Sequence, residues 1–258
     1  MLSSWVPPRT HARPFRYLKM GGIQVNDMGI AVVQCNLGGL SPDTADAMDL
    51  CRTYSMRRNI PIIDPPRRIK GSKVIPFARE QVNQFVLDNY HGATHILNVD
   101  DDMVFPPDTL EKLLSYDKDI VGVLYTGRTK PWLPQIFKKV DGKFKHWLFP
   151  PGNDVFQADA VGFGLTLIKR QVFEQLSKPW FQFYLGDKGE DLYFCEKAKD
   201  AGFEIWVDGT SEYGHMGEHM FTMKFYNEYI KSSQGRFFLD QIPDDEKFFD
   251  RKEEPAHV

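Results

Sequence analysis

The stretch His95-Ile96-Leu97-Asn98-Val99 runs without a break into Asp100-Asp101-Asp102. A short, mostly apolar run of this kind reads as a strand buried in a parallel sheet. In extended chain, residues i and i+2 project to the same side, so Asp100 and Asp102 converge while Asp101 points elsewhere. Ligands of open α/β sheets sit beyond the carboxyl ends of strands, which is where this triplet falls. Two convergent carboxylates suit a hard divalent cation, Mn²⁺ or Mg²⁺, that takes oxygen ligands and keeps positions open for phosphates. The competing reading is a solvated acidic turn, since acids are common at surfaces. The strand-end position favours the metal.

Working outward, the same alternation recurs. Ile30-Ala31-Val32-Val33 is a second buried strand, followed by a loop containing Gly38, Gly39, Ser41 and Pro42. Residues 44–58 have helical spacing, with Ala47, Leu50, Cys51 and Tyr54 on one face. Ile60-Pro61-Ile62-Ile63 reads as an edge strand because of its proline. Residues 77–90 form a helix along Val82, Phe85, Val86 and Asn89. After the triplet, Asp108 and Glu111 have capping-box spacing ahead of the stripe Leu110, Leu113, Leu114. Residues 120–125 and 205–207 add further strands. Residues 136–147 suggest an antiparallel excursion. The expected fold is therefore α/β: a mostly parallel, Rossmann-like sheet flanked by helices. The expected organisation is a basic arm over residues 1–22, a catalytic domain over 23–220, and a C-terminal helix with an acidic tail over 221–258.

The bulk numbers agree with one sizeable core. The 258 residues are 42% hydrophobic and 26% charged, with a net charge of -3. A chain that coats nucleic acid non-specifically is usually strongly basic, so that class is disfavoured. Three scattered cysteines, Cys35, Cys51 and Cys195, form no CxxC pair and point to free thiols in a reducing compartment. No apolar run is long enough to span a bilayer, and residues 1–22 lack the apolar centre of a signal peptide. A cytoplasmic enzyme is the expectation.

A second acidic element is Gly189-Glu190-Asp191, which opens a helical stretch closed by Gly202. Acids in a first helical turn are favoured by the helix dipole alone. The chemical alternative is a general base that accepts a proton as a new bond forms.

Together these residues resemble the GT-A fold glycosyltransferases, particularly the family-2-like enzymes. Asp100-Asp101-Asp102 resembles their DxD motif and Gly189-Glu190-Asp191 their ED motif. Residues 161–168, Val-Gly-Phe-Gly-Leu-Thr-Leu-Ile, resemble the glycine-containing segment beside the acceptor, and His215 resembles the late histidine of the metal shell. The resemblance spans residues 28–217. It implies that Asp102 and His215 hold the metal, with Asp100 making a supporting contact through water or to the donor ribose. It implies that Asp100, Asp101 and Arg79 contact the donor, and that Gly162 and Gly164 admit donor or acceptor closely. Asp191, with Glu190 beside it, implies the catalytic base of an inverting transfer from a nucleotide-sugar donor, a UDP-sugar by preference. The acceptor is left open among a glycan, a lipid-linked glycan, a protein and a hydroxylated base in DNA, as is the oligomeric state.

The pattern departs from the family at two places. Ala78-Arg79-Glu80 stands where Ala-Arg-Asn is expected, and Gln34-Cys35-Asn36 continues the first strand without a base-contacting sequence. A metal-dependent nucleotidyltransferase is the rival enzyme, although Gly38-Gly39 is followed by no basic residue. A non-catalytic nucleotide-sugar-binding module is the rival of another class. Trp132, Trp147 and Trp180 would line an acceptor groove or lie in the core. Arg67, Arg68, Lys70 and Lys73 would steer phosphates or form a solvated loop.

Overall fold

The computed structural model describes residues 29–35, 39–63, 74–183 and 189–247. The basic arm, the cluster from Arg67 to Lys73 and the end of the acidic tail lie outside the described residues.

In chain order the strands are β1 (Ile30–Cys35), β2 (Ile62–Ile63), β3 (His95–Asp100), β4 (Met103–Val104), β5 (Ile120–Val123), β6 (Ile136–Val140), β7 (Lys143–His146), β8 (Val155–Ala158), β9 (Ala160–Val161), β10 (Leu165–Lys169), β11 (Ile205–Asp208), β12 (Gly214–Met216) and β13 (Met220–Phe221). The helices are α1 (Pro42–Arg57), α2 (Ile75–Asn89), α3 (Thr109–Ser115), α4 (Arg170–Gln175), α5 (Glu190–Asp200), α6 (Met223–Lys231) and α7 (Ser233–Asp240).

Seven strands form the main sheet in the order β2-β1-β3-β10-β5-β11-β8. Strands β2, β1, β3, β5 and β11 run in one direction, while β10 and β8 oppose their neighbours. The expected mostly parallel α/β sheet is the one observed. One face packs Val82, Val86, Phe173 and Phe194 from α2, α4 and α5. The other packs Ala47, Met48, Cys51, Leu110 and Leu113 from α1 and α3. Burial on both faces explains why the central strands read as unbroken apolar runs. The excursion is a small antiparallel sheet, β7-β6-β9.

Strand β10 enters between β3 and β5, pairing Leu165 with Val99. The glycine-containing segment thereby meets the acidic triplet: the Asp100 amide donates to the Gly164 carbonyl at 2.8 Å. A third sheet, β13-β12-β4, pairs His215 with Met103, one residue past Asp102.

Two helical readings need correction. In α1 the buried stripe is Thr44, Ala47, Met48, Cys51 and Ser55, and Leu50 is 57% exposed. The helix is turned away from the face through Leu50 and Tyr54 because Thr44, Met48 and Ser55 also keep i, i+3/i+4 spacing with Ala47 and Cys51. At α3 the N-cap Asp108 makes no side-chain cap. Glu111 instead accepts from Tyr54 and Arg58 of the α1 segment. The expected reciprocal box is replaced by a helix-to-helix tie.

Candidate active site

The parallel strands present their carboxyl ends at one edge of the sheet, as expected for a ligand site in an open α/β fold. Beyond β3 lies a cavity of about 660 Å³ lined by Ser41, Asp43, Arg79, Asp100, Asp102 and Arg128, with Asp101 and Gly217 also at its wall. Asp101, which the alternation of an extended chain turns away, still lines this space. Strand geometry ends at Asp100, so the period of two no longer governs the next residue.

Arg79 binds two carboxylates. Its Nη2 lies 3.0 Å from both Asp100 oxygens, and its Nε donates to Glu190 Oε1 at 3.1 Å. Its side chain is 5% exposed. The guanidinium therefore fastens α2, the end of β3 and the start of α5 together. Phe163 lies beneath it, with the ring centroid 5.4 Å away. Glu190 is held on Arg79, which makes it a positioning group for the first turn of α5. Glu80 takes up a related task. Its Oε2 accepts from the Trp180 and Phe181 amides, holding the segment that leads towards α5. This is a physical use for the acid at the position where the family pattern has asparagine.

Asp191 follows Glu190 in the first turn. Its Oδ1 accepts from its neighbour's amide, Leu192 N–H, at 2.8 Å. A Cβ on Gly189 would stand 2.6 Å from that oxygen, so glycine there makes room for the carboxylate. Burial and the adjacent Glu190 charge raise the Asp191 pKa to about 6, against the opposing charge of Arg79. Asp191 interacts electrostatically with Asp100 across the Arg79 cluster. Burial likewise raises Asp100 to about 6, opposed by Arg79 and assisted by Asp102 and Glu190.

Asp102 lies on the cavity side of the triplet. His215 Nε2 is 3.3 Å and Arg128 Nη1 2.6 Å from its Oδ2. The other ring nitrogen, Nδ1, is 2.9 Å from the Thr126 carbonyl, which can only accept. Nδ1 therefore carries a proton, and Nε2 is the nitrogen turned to Asp102. The second oxygen, Asp102 Oδ1, is buried and makes no hydrogen bond among the described residues. The Asp102 pKa is lowered: burial pushes it up, but the neighbouring His215 and Arg128 outweigh that. Asp102 Oδ2 facing an imidazole nitrogen that is fixed through its second nitrogen to a carbonyl, with the other carboxylate oxygen left without a hydrogen bond, is a donor set that fits a divalent cation. Among the described residues no group of three or more His, Cys, Asp or Glu side chains is placed to hold a metal ion, so Asp102 and His215 stand as a two-ligand set without Asp100. Such a site would leave positions for phosphate oxygens.

The glycines at 162 and 164 serve a packing purpose on the side where a Cβ would stand. A Cβ at Gly162 would lie 2.4 Å from the Tyr125 hydroxyl, and one at Gly164 2.7 Å from the Tyr125 ring. The Gly164 amide donates to that hydroxyl at 3.1 Å. The close approach expected there from donor or acceptor is made by Tyr125, from inside the protein.

Trp147 and Trp180 belong to the core. Trp132 stacks on Phe221 and meets Phe225 and Tyr229 edge-on, beside the C-terminal helix. Arg128 was not singled out in the sequence. It lies in the polar loop after β5, and only the fold brings it to Asp102. A larger cavity of about 960 Å³ opens at the carboxyl ends of β5 and β11, lined by Phe149, Asp154, Ser211, Glu212, Asn227 and Glu228 among others.

No protein-family model and no curated protein matches the chain. Solved structures do. A197 from STIV is similar over 74% of this chain and 86% of its own, at 18% identity and a TM-score of 0.50. The chain has the GT-A fold. Two more distant similarities are to GalNAc-T7, solved with UDP, GalNAc and Mn²⁺, and to an apo UDP-glucose pyrophosphorylase. For GalNAc-T7 the identity is 13% and the TM-score 0.43, over 79% of this chain and 47% of that one. For the pyrophosphorylase they are 9% and 0.38, over 84% and 86%. The chain spans about half the length of the GalNAc-T7 chain. What it shares with A197 is the architecture, and its chemistry has to be argued from its own residues.

Proposed function

We propose that the chain is a metal-dependent glycosyltransferase that moves a sugar from a nucleoside diphosphate donor, a UDP-sugar by preference, to an acceptor hydroxyl with inversion. The observation that carries this reading is the pairing of Asp102 with His215 Nε2, where Asp102, one of its oxygens buried and unpartnered, stands at the wall of a cavity beyond the central strand. Asp102 and His215 would hold Mn²⁺ or Mg²⁺. When bound, the cation supplies Lewis-acid stabilisation of the departing diphosphate.

The chain's own residues do the rest. Arg79 fixes Asp100 and Glu190, and with them the start of α5. Asp191 takes the acceptor proton as the new carbon–oxygen bond forms and the bond from the sugar to the diphosphate breaks. Attack opposite the leaving group inverts the anomeric centre. Packing of Phe163 beneath Arg79 and the grip of Arg79 on Asp100 and Glu190 keep these carboxylates fixed during transfer. The 960 Å³ cavity on the same edge of the sheet would hold the part of the acceptor away from the reacting hydroxyl, because Asp191 is not among its lining residues. Its acids Asp154, Glu212 and Glu228 outnumber Lys224 and Lys231, which favours a neutral glycan over DNA.

The test is a panel of nucleotide sugars with Mn²⁺, scored for free nucleoside diphosphate and for the product anomer. Release of diphosphate with one donor, lost on chelation, is expected, and neutral glycans should accelerate it where DNA does not. Pyrophosphate formation from a sugar phosphate and a nucleoside triphosphate would instead identify a nucleotidyltransferase.

A further inference from the structure

Two arginines line the 660 Å³ cavity, and they are held very differently. Arg79 is 5% exposed and gripped by Asp100 and Glu190. Arg128 is 50% exposed, stands on the loop after β5, and sets Nη1 2.6 Å from Asp102 Oδ2. That is the oxygen which His215 Nε2 approaches at 3.3 Å. The Arg128 guanidinium thus stands in the coordination space of the carboxylate read above as the metal ligand. A guanidinium does not lose its proton in proteins. It cannot share one carboxylate oxygen with a divalent cation without strong repulsion. A half-exposed ion pair on a long side chain is weakly held and rearranges readily. The planar fork it carries matches phosphate oxygens.

We propose that Arg128 is an exchangeable counterion. It neutralises Asp102 in the empty site, gives way to the divalent cation, and then binds a diphosphate oxygen of the donor in the same cavity. The assignment rests on reading the site as one for a metal and a nucleoside diphosphate. It makes a diphosphate role for Arg128, in place of the buried Arg79, a property of this chain. It also makes the two ligands cooperative. The cation alone must break the Arg128–Asp102 pair, whereas the cation with a diphosphate present offers the released guanidinium a new partner. Coupling of this kind is reciprocal and commonly amounts to a change of about 5–150-fold.

The experiment uses the full chain, with Mn²⁺ binding followed by the loss of its free-ion paramagnetic resonance signal, and UDP binding followed by calorimetry at saturating Mn²⁺. The wild type should bind Mn²⁺ more tightly when UDP is present. Arg128→Ala should bind Mn²⁺ alone about 10-fold more tightly than the wild type, bind UDP about 10-fold more weakly, and show a smaller coupling, keeping only the part made by direct contact of diphosphate with the cation. Arg128→Lys, which keeps the charge without the fork, should fall between them. Mn²⁺ affinity unchanged or weakened in Arg128→Ala would overturn the proposal, as would unchanged UDP affinity. If the wild type binds both ligands and Arg128→Ala behaves like it, the counterion role fails alone. If the wild type binds neither, the reading of the site fails with it.

Discussion

Asp191 illustrates at residue scale how function and stability pull apart. Its carboxyl is raised from 3.8 to about 6, by burial and by Glu190. A folded pKa above the unfolded one means that the native state holds the proton more tightly. The contribution to stability is then fully present below about pH 4 and is lost as the pH rises to about 6. At pH 7 the ionised carboxylate is a net cost to the fold. Asp191→Asn should raise the melting temperature at pH 7 by a few degrees, from a gain of roughly 1–2 kcal/mol, with little gain at pH 4. The same variant should lower kcat by about 10²–10⁴-fold while donor binding persists. The wild-type rate should climb through an acid limb near pH 6. A lower melting temperature at pH 7 would contradict the stability cost, and retained turnover would remove Asp191 from the role of base. The position of the ED pair at the start of a helix was legible in the sequence. The partner of Glu190 was not, since Arg79 lies 111 positions away. Arg128 was equally hidden, because a single arginine in a polar loop carries no local signal.

Among the elements, the site depends on one buried tie. Arg79 on α2 holds the last residue of β3 and the first of α5, with Asn83 one turn further along bound to Asn98 of β3 at 2.9 Å. Removing one partner of a buried ion pair leaves the other charge desolvated and unpaired. Arg79→Ala strands two carboxylates at once. The expected loss is about 3–5 kcal/mol in urea unfolding, together with loss of transfer. A change below about 1 kcal/mol, within the range of an exposed pair, would mean that the tie is not structural. The strands around this tie were readable because burial on two faces makes apolar runs. Strand β10 was less so. A glycine-containing segment does not announce that its continuation runs antiparallel between two parallel strands. The face of α1 was misjudged for another reason: Thr44 and Ser55 are polar by composition yet fully buried, while Leu50 is apolar yet exposed.

For the molecule as a whole, the seven-stranded sheet gathers groups from distant parts of the chain at one edge. The acidic triplet ends β3, Arg128 follows β5, and His215 arrives on β12 through pairing with the residues just after the triplet. The Met216 amide donates to the Asp102 carbonyl at 2.7 Å, so the backbone itself sets the His215 ring against the Asp102 carboxylate. The described residues include no helix long and apolar enough to cross a membrane. The order of motifs along the chain foretold this convergence, but the distances within it come only from the fold. The proposed function requires that Asp102 and His215 hold a divalent cation. Crystals grown with Mn²⁺ and UDP, measured at a wavelength where manganese scatters anomalously, test that claim most directly. The expected result is an anomalous peak within coordination distance, about 2.0–2.3 Å, of an Asp102 oxygen and His215 Nε2, and its loss in Asp102→Asn. A peak bound elsewhere, or UDP bound in the cavity with no metal beside Asp102, would contradict it.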